Sequence, residues 1–482
     1  MRWRFIFYIT GILIFILGLT MVFPLLCGLY YKDQSIIPFF QSMVISLTVG
    51  LFLFILFRGQ SGGHISQREG IAIVAFGWVA AGMLGAIPFY LGGVFDTLVD
   101  AIFESVSGFT TTGASVLTDI EAVPRGFLFW RSQIQWLGGM GIIVLSVAIL
   151  PFLGVGGMQL YKAEVPTPVP DKLKPRISET SKILWKVYAL ISLAELALLL
   201  LGGMGFFDAI CHTFTTMPTG GFSTKNASIA HFDSLYVDTV ITIFMLLAGI
   251  NFSLHFQVLK GSTLAFWKDP ECRFFLGVVL LLSMLVTVNV FGSVYEGIGD
   301  ALQYAIFQVT SIITTTGYAT ADFEQWPAMT QLVILFCMFL GASAGSTGGG
   351  MKCIRIMLCF KYCYKELFQL IHPHGVTRIK IGGKVVSEEV MRSILGFLAL
   401  YMGLFVFCTI LLSSMGVDLV TSISAVASSI GNIGPGLGLV GPADNYSIIP
   451  TSGKWLLAWC MLLGRLEIYT VIILVVPEFW RK

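Results

Sequence analysis

Apolar runs of about 20 residues follow one another almost without a gap from residue 4 to residue 478, and nothing else constrains this chain so strongly. About 20 such residues cross the hydrocarbon layer of a bilayer as one helix. The candidate spans are 4–28, 36–58, 70–93, 126–152, 183–206, 235–260, 273–293, 328–360, 393–414 and 453–478, ten in all. Only 12% of the residues are charged, whereas a soluble domain carries about 25%. There is too little charge to cover a water-facing surface. The first run follows Arg2 and Arg4 as a signal peptide would. It is too long for that role and lacks a small-residue cleavage site, so it reads as a span. A net charge of +2 excludes nucleic acid as a partner. The nine cysteines sit mostly in apolar runs and form no C-x-x-C pair, so they read as buried thiols.

Orientation follows from Lys and Arg placement. With the N-terminus inside, 23 of the 29 basic residues fall on the cytoplasmic side. Only Lys32, Arg125, Arg131, Lys225 and Lys454 lie outside, and Arg465 lies within a span. Both termini are therefore expected in the cytoplasm. Fifteen of the 27 acids fall on the outer side, which makes that face negative and raises the local cation concentration. A plainer account is that outer loops simply avoid basic residues.

Four stretches share one plan of span, short acid-led segment, glycine turn and span. They begin at Asp100, Asp208, Asp300 and Asp418, and their turns read TTTGA, PTGGF, TTTGY and NIGPG. Each segment between acid and turn is too short to span but long enough for a half-membrane helix. A fourfold internal echo takes priority in reading a fold. Irregular backbone at membrane depth survives only where it is buried in protein or lines a wet cavity. Four re-entrant turns meet that demand together if they surround one axis. Their carbonyl oxygens then form rings that replace a cation's hydration shell, and each half-helix points its negative end at the ion. The predicted fold is an all-α polytopic membrane protein with ten transmembrane helices and four re-entrant pore-helix loops in pseudo-fourfold repeats. The four leading acids are expected to cap their helices rather than touch the ion.

The filter candidates are Thr111, Thr112, Gly113, Thr219, Gly220, Gly221, Thr315, Thr316, Gly317, Asn432, Ile433 and Gly434. Glycine suits a strained turn whose carbonyls face inward, and threonine hydroxyls add oxygen. Gly220 competes with Gly221 for the turn position. These turns, in this order over some 340 residues, resemble the TrkH-type potassium transporters of the Trk/Ktr/HKT superfamily. The resemblance extends over the whole chain, including two extra N-terminal spans. It implies one pseudo-fourfold pore per subunit, potassium ion as the bound species, and potassium uptake across the bacterial cytoplasmic (inner) membrane. It also implies a homodimer in the lipid bilayer and a cytosolic nucleotide-binding TrkA-type regulatory ring. Only Thr316-Gly317-Tyr318 approaches the T-x-G-Y core of potassium-channel filters, so moderate rejection of sodium is expected.

The repeats divide the chain into 1–68 (two extra spans), 69–160 (repeat 1), 161–182 (cytosolic linker), 183–262 (repeat 2), 263–366 (repeat 3), 367–391 (cytosolic linker) and 392–482 (repeat 4). Repeat 3 breaks its second span: Gly341, Gly345, Gly348, Gly349 and Gly350 stand within ten residues, and each costs about 1 kcal/mol of helix relative to Ala. A loop lining the inner vestibule is expected there, including Ser346 and Thr347; the resemblance makes it the gating loop. Close helix packing through small residues is the alternative. Arg465, costly at its depth, is expected to face the path below the filter and to bond this loop; a structural pair with a buried acid is the alternative. Glu467 is expected on the far side of the same helix, and Glu195 is a second buried acid without an obvious partner. The basic stretches 162–182, with Pro166, Pro168, Pro170 and Pro175, and 361–392 suit anionic headgroups or a cytosolic partner.

No Walker loop, H-E-x-x-H, nucleophile elbow or nucleotide motif appears, so an enzyme is not expected and nucleotide control comes from another chain. A sodium- or proton-coupled symporter with alternating access is the alternative function. Symporters place broken helices in an inverted pair, whereas these four units share one orientation.

Overall fold

The computed structural model describes residues 1–58, 66–148, 177–375 and 377–480. The proline-rich part of the 162–182 stretch lies outside them. Six helices are long and apolar enough to cross a membrane among the described residues: Trp3–Tyr31, Ile36–Leu56, Arg68–Leu91, Ser181–Leu201, Pro270–Val290 and Glu388–Ser414. Local chemistry sets their starts. Ser66 and Glu69 form a reciprocal capping box, and Asp269 accepts Cys272 N–H at 2.7 Å just ahead of Pro270, whose missing N–H is harmless in a first turn. The first two spans pack through glycine: a methyl at Gly50 would lie 2.6 Å from the Phe15 nitrogen. Among the described residues the remaining regular structure is helical except for a small hairpin in the 367–391 linker. There Lys380–Ile381 pairs antiparallel with Lys384–Val385 around Gly382 and Gly383, whose φ values of +54° and +82° suit a two-residue turn.

Three of the ten expected spans are broken. Leu235–Gly249 and Phe252–Leu259 meet at 102°, and Thr451–Arg465 and Ile468–Val475 at 118°. The third, expected at 328–360, is helical only as Ala328–Cys337 and again from Cys353, with non-helical chain between. The first break combines a local cap with a distant partner. Asn251 restarts a helix by accepting Ser253 N–H at 2.9 Å, and Phe252 N–H goes to Gly345 carbonyl at 3.1 Å instead of back along its own helix. At the last break Glu467 has φ +59°, so it is not on the far side of one continuous helix. Its carboxylate pairs with Arg355 at 2.6 Å.

Four short helices occupy the interior: Leu98–Phe109, Phe206–Thr216, Ile298–Ile313 and Leu419–Gly431. At 1.5 Å per residue they reach about 17–24 Å, short of a bilayer's hydrocarbon thickness of about 30 Å. Their C-terminal halves are buried although rich in Ser and Thr. Apolar clusters pack around them, the largest joining repeat 1 to repeat 4 through Phe103, Phe109, Trp130, Val426 and Leu457.

Candidate functional site

Each short helix ends in the same backbone device. Thr111, Thr219, Thr315 and Asn432 take left-handed φ values of +52°, +57°, +61° and +56°. Their N–H groups reach back three residues, to Gly108, Thr216, Ile312 and Ser429. The next residue's N–H reaches back five: Thr112 to Ser107, Gly220 to Thr215, Thr316 to Ser311 and Ile433 to Ser428, at 2.8–3.0 Å. This is the Schellman ending of a helix, which normally places glycine at the left-handed position. A β-branched residue there is an outlier that costs about 1–2 kcal/mol, and three of the four are threonine. Strain repeated at equivalent places marks positions whose side chain or backbone is needed.

The glycine follows at Gly113, Gly221, Gly317 and Gly434, with φ of +83°, +73°, +79° and +109°. The shared bonding pattern makes Gly221 the equivalent of the other three and puts Gly220 one step earlier. These glycines pack against one another's turns in a closed order. A methyl at Gly113 would lie 2.2 Å from Gly220 carbonyl oxygen, one at Gly221 would lie 1.9 Å from that of Thr316, one at Gly317 would lie 1.9 Å from that of Ile433, and one at Gly434 would lie 2.8 Å from that of Thr112. The four carbonyls just before the glycines thus form a ring through repeats 1, 2, 3, 4 and back to 1. Asn432 Nδ2 adds a bond to Thr112 Oγ1 at 3.0 Å across the closing seam.

Polar side chains brace this ring from outside. Gln135 holds the second turn through Gly220 carbonyl (2.8 Å) and Phe222 N–H (3.2 Å). Tyr318 sends its hydroxyl to Thr215 Oγ1 at 2.5 Å, joining turn 3 to short helix 2. Ser428 and Tyr446 hydroxyls both donate to Gly434 carbonyl. Arg131, 1% exposed, bonds buried Glu104 at 2.8 Å and Ser223 carbonyl at 3.1 Å while its guanidinium lies over Phe222. The sequence reading missed these braces. The signal was present as Gln135 and Arg131 inside an apolar span, and as Glu104 inside a half-helix.

The glycine-rich segment of repeat 3 lies on the helix-end side of the turns. Thr347 Oγ1 donates to Met217 carbonyl (2.9 Å), and Gly349 N–H to Thr315 Oγ1 (2.7 Å). A methyl on Gly349 would lie 2.3 Å from Gly431 carbonyl oxygen, and one on Gly348 would lie 3.1 Å from that of Thr314. Gly341 packs against Gly349 and Met351 where the segment closes on itself, Gly345 (φ +77°) abuts Asn251, Ser346 bonds Ser343 carbonyl, and Gly350 takes φ +65°. The segment therefore touches repeats 2, 3 and 4. Arg465, 2% exposed, donates to Thr347 carbonyl at 2.7 Å and to Gly138 carbonyl at 3.4 Å, and has no acidic partner among the described residues. Glu195 is fully buried, with no basic partner among the described residues.

Of the four leading acids, only Asp418 caps its helix, accepting Thr421 N–H at 3.0 Å. Thr97, Gly205 and Gly297 take the cap position elsewhere, leaving Asp100, Asp208 and Asp300 in the first turn, where a negative charge still suits the helix dipole. The acids expected on the outer side are also less free than the sequence implies. Glu104 is neutralised by Arg131, and Asp100 by Lys454 at 2.6 Å. At the surface, the Asn226 amide holds the Asp119 carboxyl below the usual carboxylate range, whereas burial pushes Glu324 up.

Comparison with known proteins places this geometry. A family model described as TrkH, cation transport protein, matches residues 34–482. The chain is 43% identical over 486 residues to the Trk system potassium uptake protein TrkH of Salmonella typhimurium, covering the whole of both. It is 38% identical over 482 residues to the Trk system potassium uptake protein TrkG of Escherichia coli, covering 99% of each. The crystal structure of the potassium transporter TrkH from Vibrio parahaemolyticus matches with a TM-score of 0.93 and 39% identity over the whole of both chains. A closed ring of four turns, in a helical chain alike from end to end to these proteins, identifies a membrane protein of the TrkH family of cation transport proteins.

Proposed function

We propose that the chain takes up potassium across the bacterial cytoplasmic membrane through one pseudo-fourfold pore, with Thr111, Thr112, Gly113, Thr219, Gly220, Gly221, Thr315, Thr316, Gly317, Asn432, Ile433 and Gly434 as its filter. The observation that carries this is the closed order of pre-glycine carbonyls, one from each repeat. Peptide oxygens held in such a ring substitute for the water around a monovalent cation. The C-terminal ends of four helices add negative potential at the same place. Gly220 carbonyl already accepts a bond from Gln135, and only turn 3 carries the tyrosine, so the ring is chemically uneven. Moderate rather than strict rejection of sodium follows.

The loop Gly341, Gly345, Ser346, Thr347, Gly348, Gly349 and Gly350 is the gate in this reading, with Arg465 raising the barrier to cations beside it. Its contacts with the ends of short helices 2, 3 and 4 support that role. Ten membrane crossings with three of the second spans bent or broken, both termini in the cytoplasm, a homodimer, and control by a cytosolic nucleotide-binding TrkA-type partner complete the proposal. Purified protein in planar bilayers tests it. Unitary current steps that reverse at the potassium equilibrium potential support a pore. Uptake that requires a sodium or proton gradient, with no unitary steps, supports the symporter instead.

A further inference from the structure

Glu271 has no part in the reading above. It lies in the first turn of helix Pro270–Val290 and is 7% exposed. Its Oε1 accepts two backbone N–H groups from another part of the chain, Ala344 at 2.7 Å and Ile354 at 3.1 Å. Ala344 belongs to the non-helical segment beneath the turns. Ile354 belongs to the first turn of helix Cys353–Ile371, where N–H groups have no partner within their own helix. One oxygen thus ties both ends of the segment 345–353 to a neighbouring helix. Within the segment Lys352 Nζ donates to Gly348 carbonyl, and Arg465 of another helix donates to Thr347 carbonyl. Glu271 has no ion-pair partner among the described residues. A buried acid is costly without a task. Here the task is visible, because the side-chain oxygen takes up two buried backbone N–H groups that belong to different ends of one segment.

We infer that Glu271 is a positioning residue for the intramembrane loop, a latch that fixes both its ends in place below the carbonyl ring. The consequence for flux rests on the proposal that this loop is the gate. The chain carries its own reporter in Cys353, which is 2% exposed and whose thiol donates to Gly341 carbonyl at 2.9 Å inside the closed loop. Full-length protein in proteoliposomes is treated with a small methanethiosulfonate, and modification of Cys353 is followed by mass spectrometry alongside rubidium flux. Cys408, fully buried in helix Glu388–Ser414, reports loss of fold. E271A removes the acceptor, whereas E271Q keeps an oxygen in its place without the charge. The expected result is Cys353 modification at least tenfold faster in E271A, an intermediate rate in E271Q, flux raised in the same order, and Cys408 unmodified throughout. Equal Cys353 rates in all three proteins overturn the latch. Faster modification with unchanged flux keeps the latch and overturns the loop as gate. If Cys408 shows E271A to be misfolded, E271M, which fills the space without an accepting oxygen, decides: a rate threefold or more above wild type supports the latch, and an equal rate overturns it.

Discussion

Replacing Gly317 with alanine is the sharpest test of the carbonyl ring. The new methyl would lie 1.9 Å from the Ile433 carbonyl oxygen, and ordinary contact begins at 3.4 Å, so one turn must retreat by the difference of 1.5 Å. Alanine at φ +79° also costs about 1–2 kcal/mol of backbone strain. These two effects are separable. Gly203 has φ +84° and nothing within 4 Å of an added methyl, so G203A carries the strain without the clash. In detergent G203A should lose only the strain, and G317A a further loss of about 1–3 kcal/mol should follow from moving a packed turn. Only G317A should lose transport, since the displaced Ile433 carbonyl no longer takes its place in the ring that replaces the ion's water. Rubidium uptake into proteoliposomes, normalised to folded protein by size exclusion, gives the comparison. G317A with flux and sodium rejection like those of G203A would refute the ring as the ion's ligand shell.

Removing Arg131 leaves Glu104 buried with an unpaired charge and frees Ser223 carbonyl, so R131A should lose about 3–5 kcal/mol of stability in denaturant titration; a loss below 1 kcal/mol would mean the pair is not enclosed as described. R465A should raise basal flux by releasing Thr347 carbonyl and removing a cation from the path, read as open probability in planar bilayers; unchanged flux removes Arg465 from gating. D418A should lose about 1 kcal/mol as a lost cap, and D418N much less. The Thr421 hydroxyl and N–H hold the Asp418 carboxyl below the usual carboxylate range, so its contribution is present above the unfolded value and fades as pH falls through the folded one. The stability gap between wild type and D418A should therefore close in acid.

The four turns were legible because their requirement is local: a helix ending in a left-handed residue and then glycine needs particular residues at fixed offsets, and those offsets repeat. The glycine run of repeat 3 was legible for the same reason. The bends at Asn251 and Glu467 were not, because hydropathy runs through both without a change. Their causes are distant in sequence, a Gly345 carbonyl that takes Phe252 N–H and an Arg355 that claims the Glu467 carboxylate. Capping was misread for a related reason. An acid that leads a helix sits equally well at the cap or three residues later, and only the backbone distinguishes Asp418 from Asp100, Asp208 and Asp300. Glu271 gave a faint sign as an acid directly after Pro270, but its partners lie more than 70 residues away.

The seam between Asn432 and Thr112 joins residues 320 positions apart, and this bears on biogenesis. A ribosome must deliver all but the last 50 of 482 residues before the fourth wall exists. Until then the ring lacks the Ile433 carbonyl and the Asn432 bond, so the fourfold arrangement can close only once residue 432 has been made.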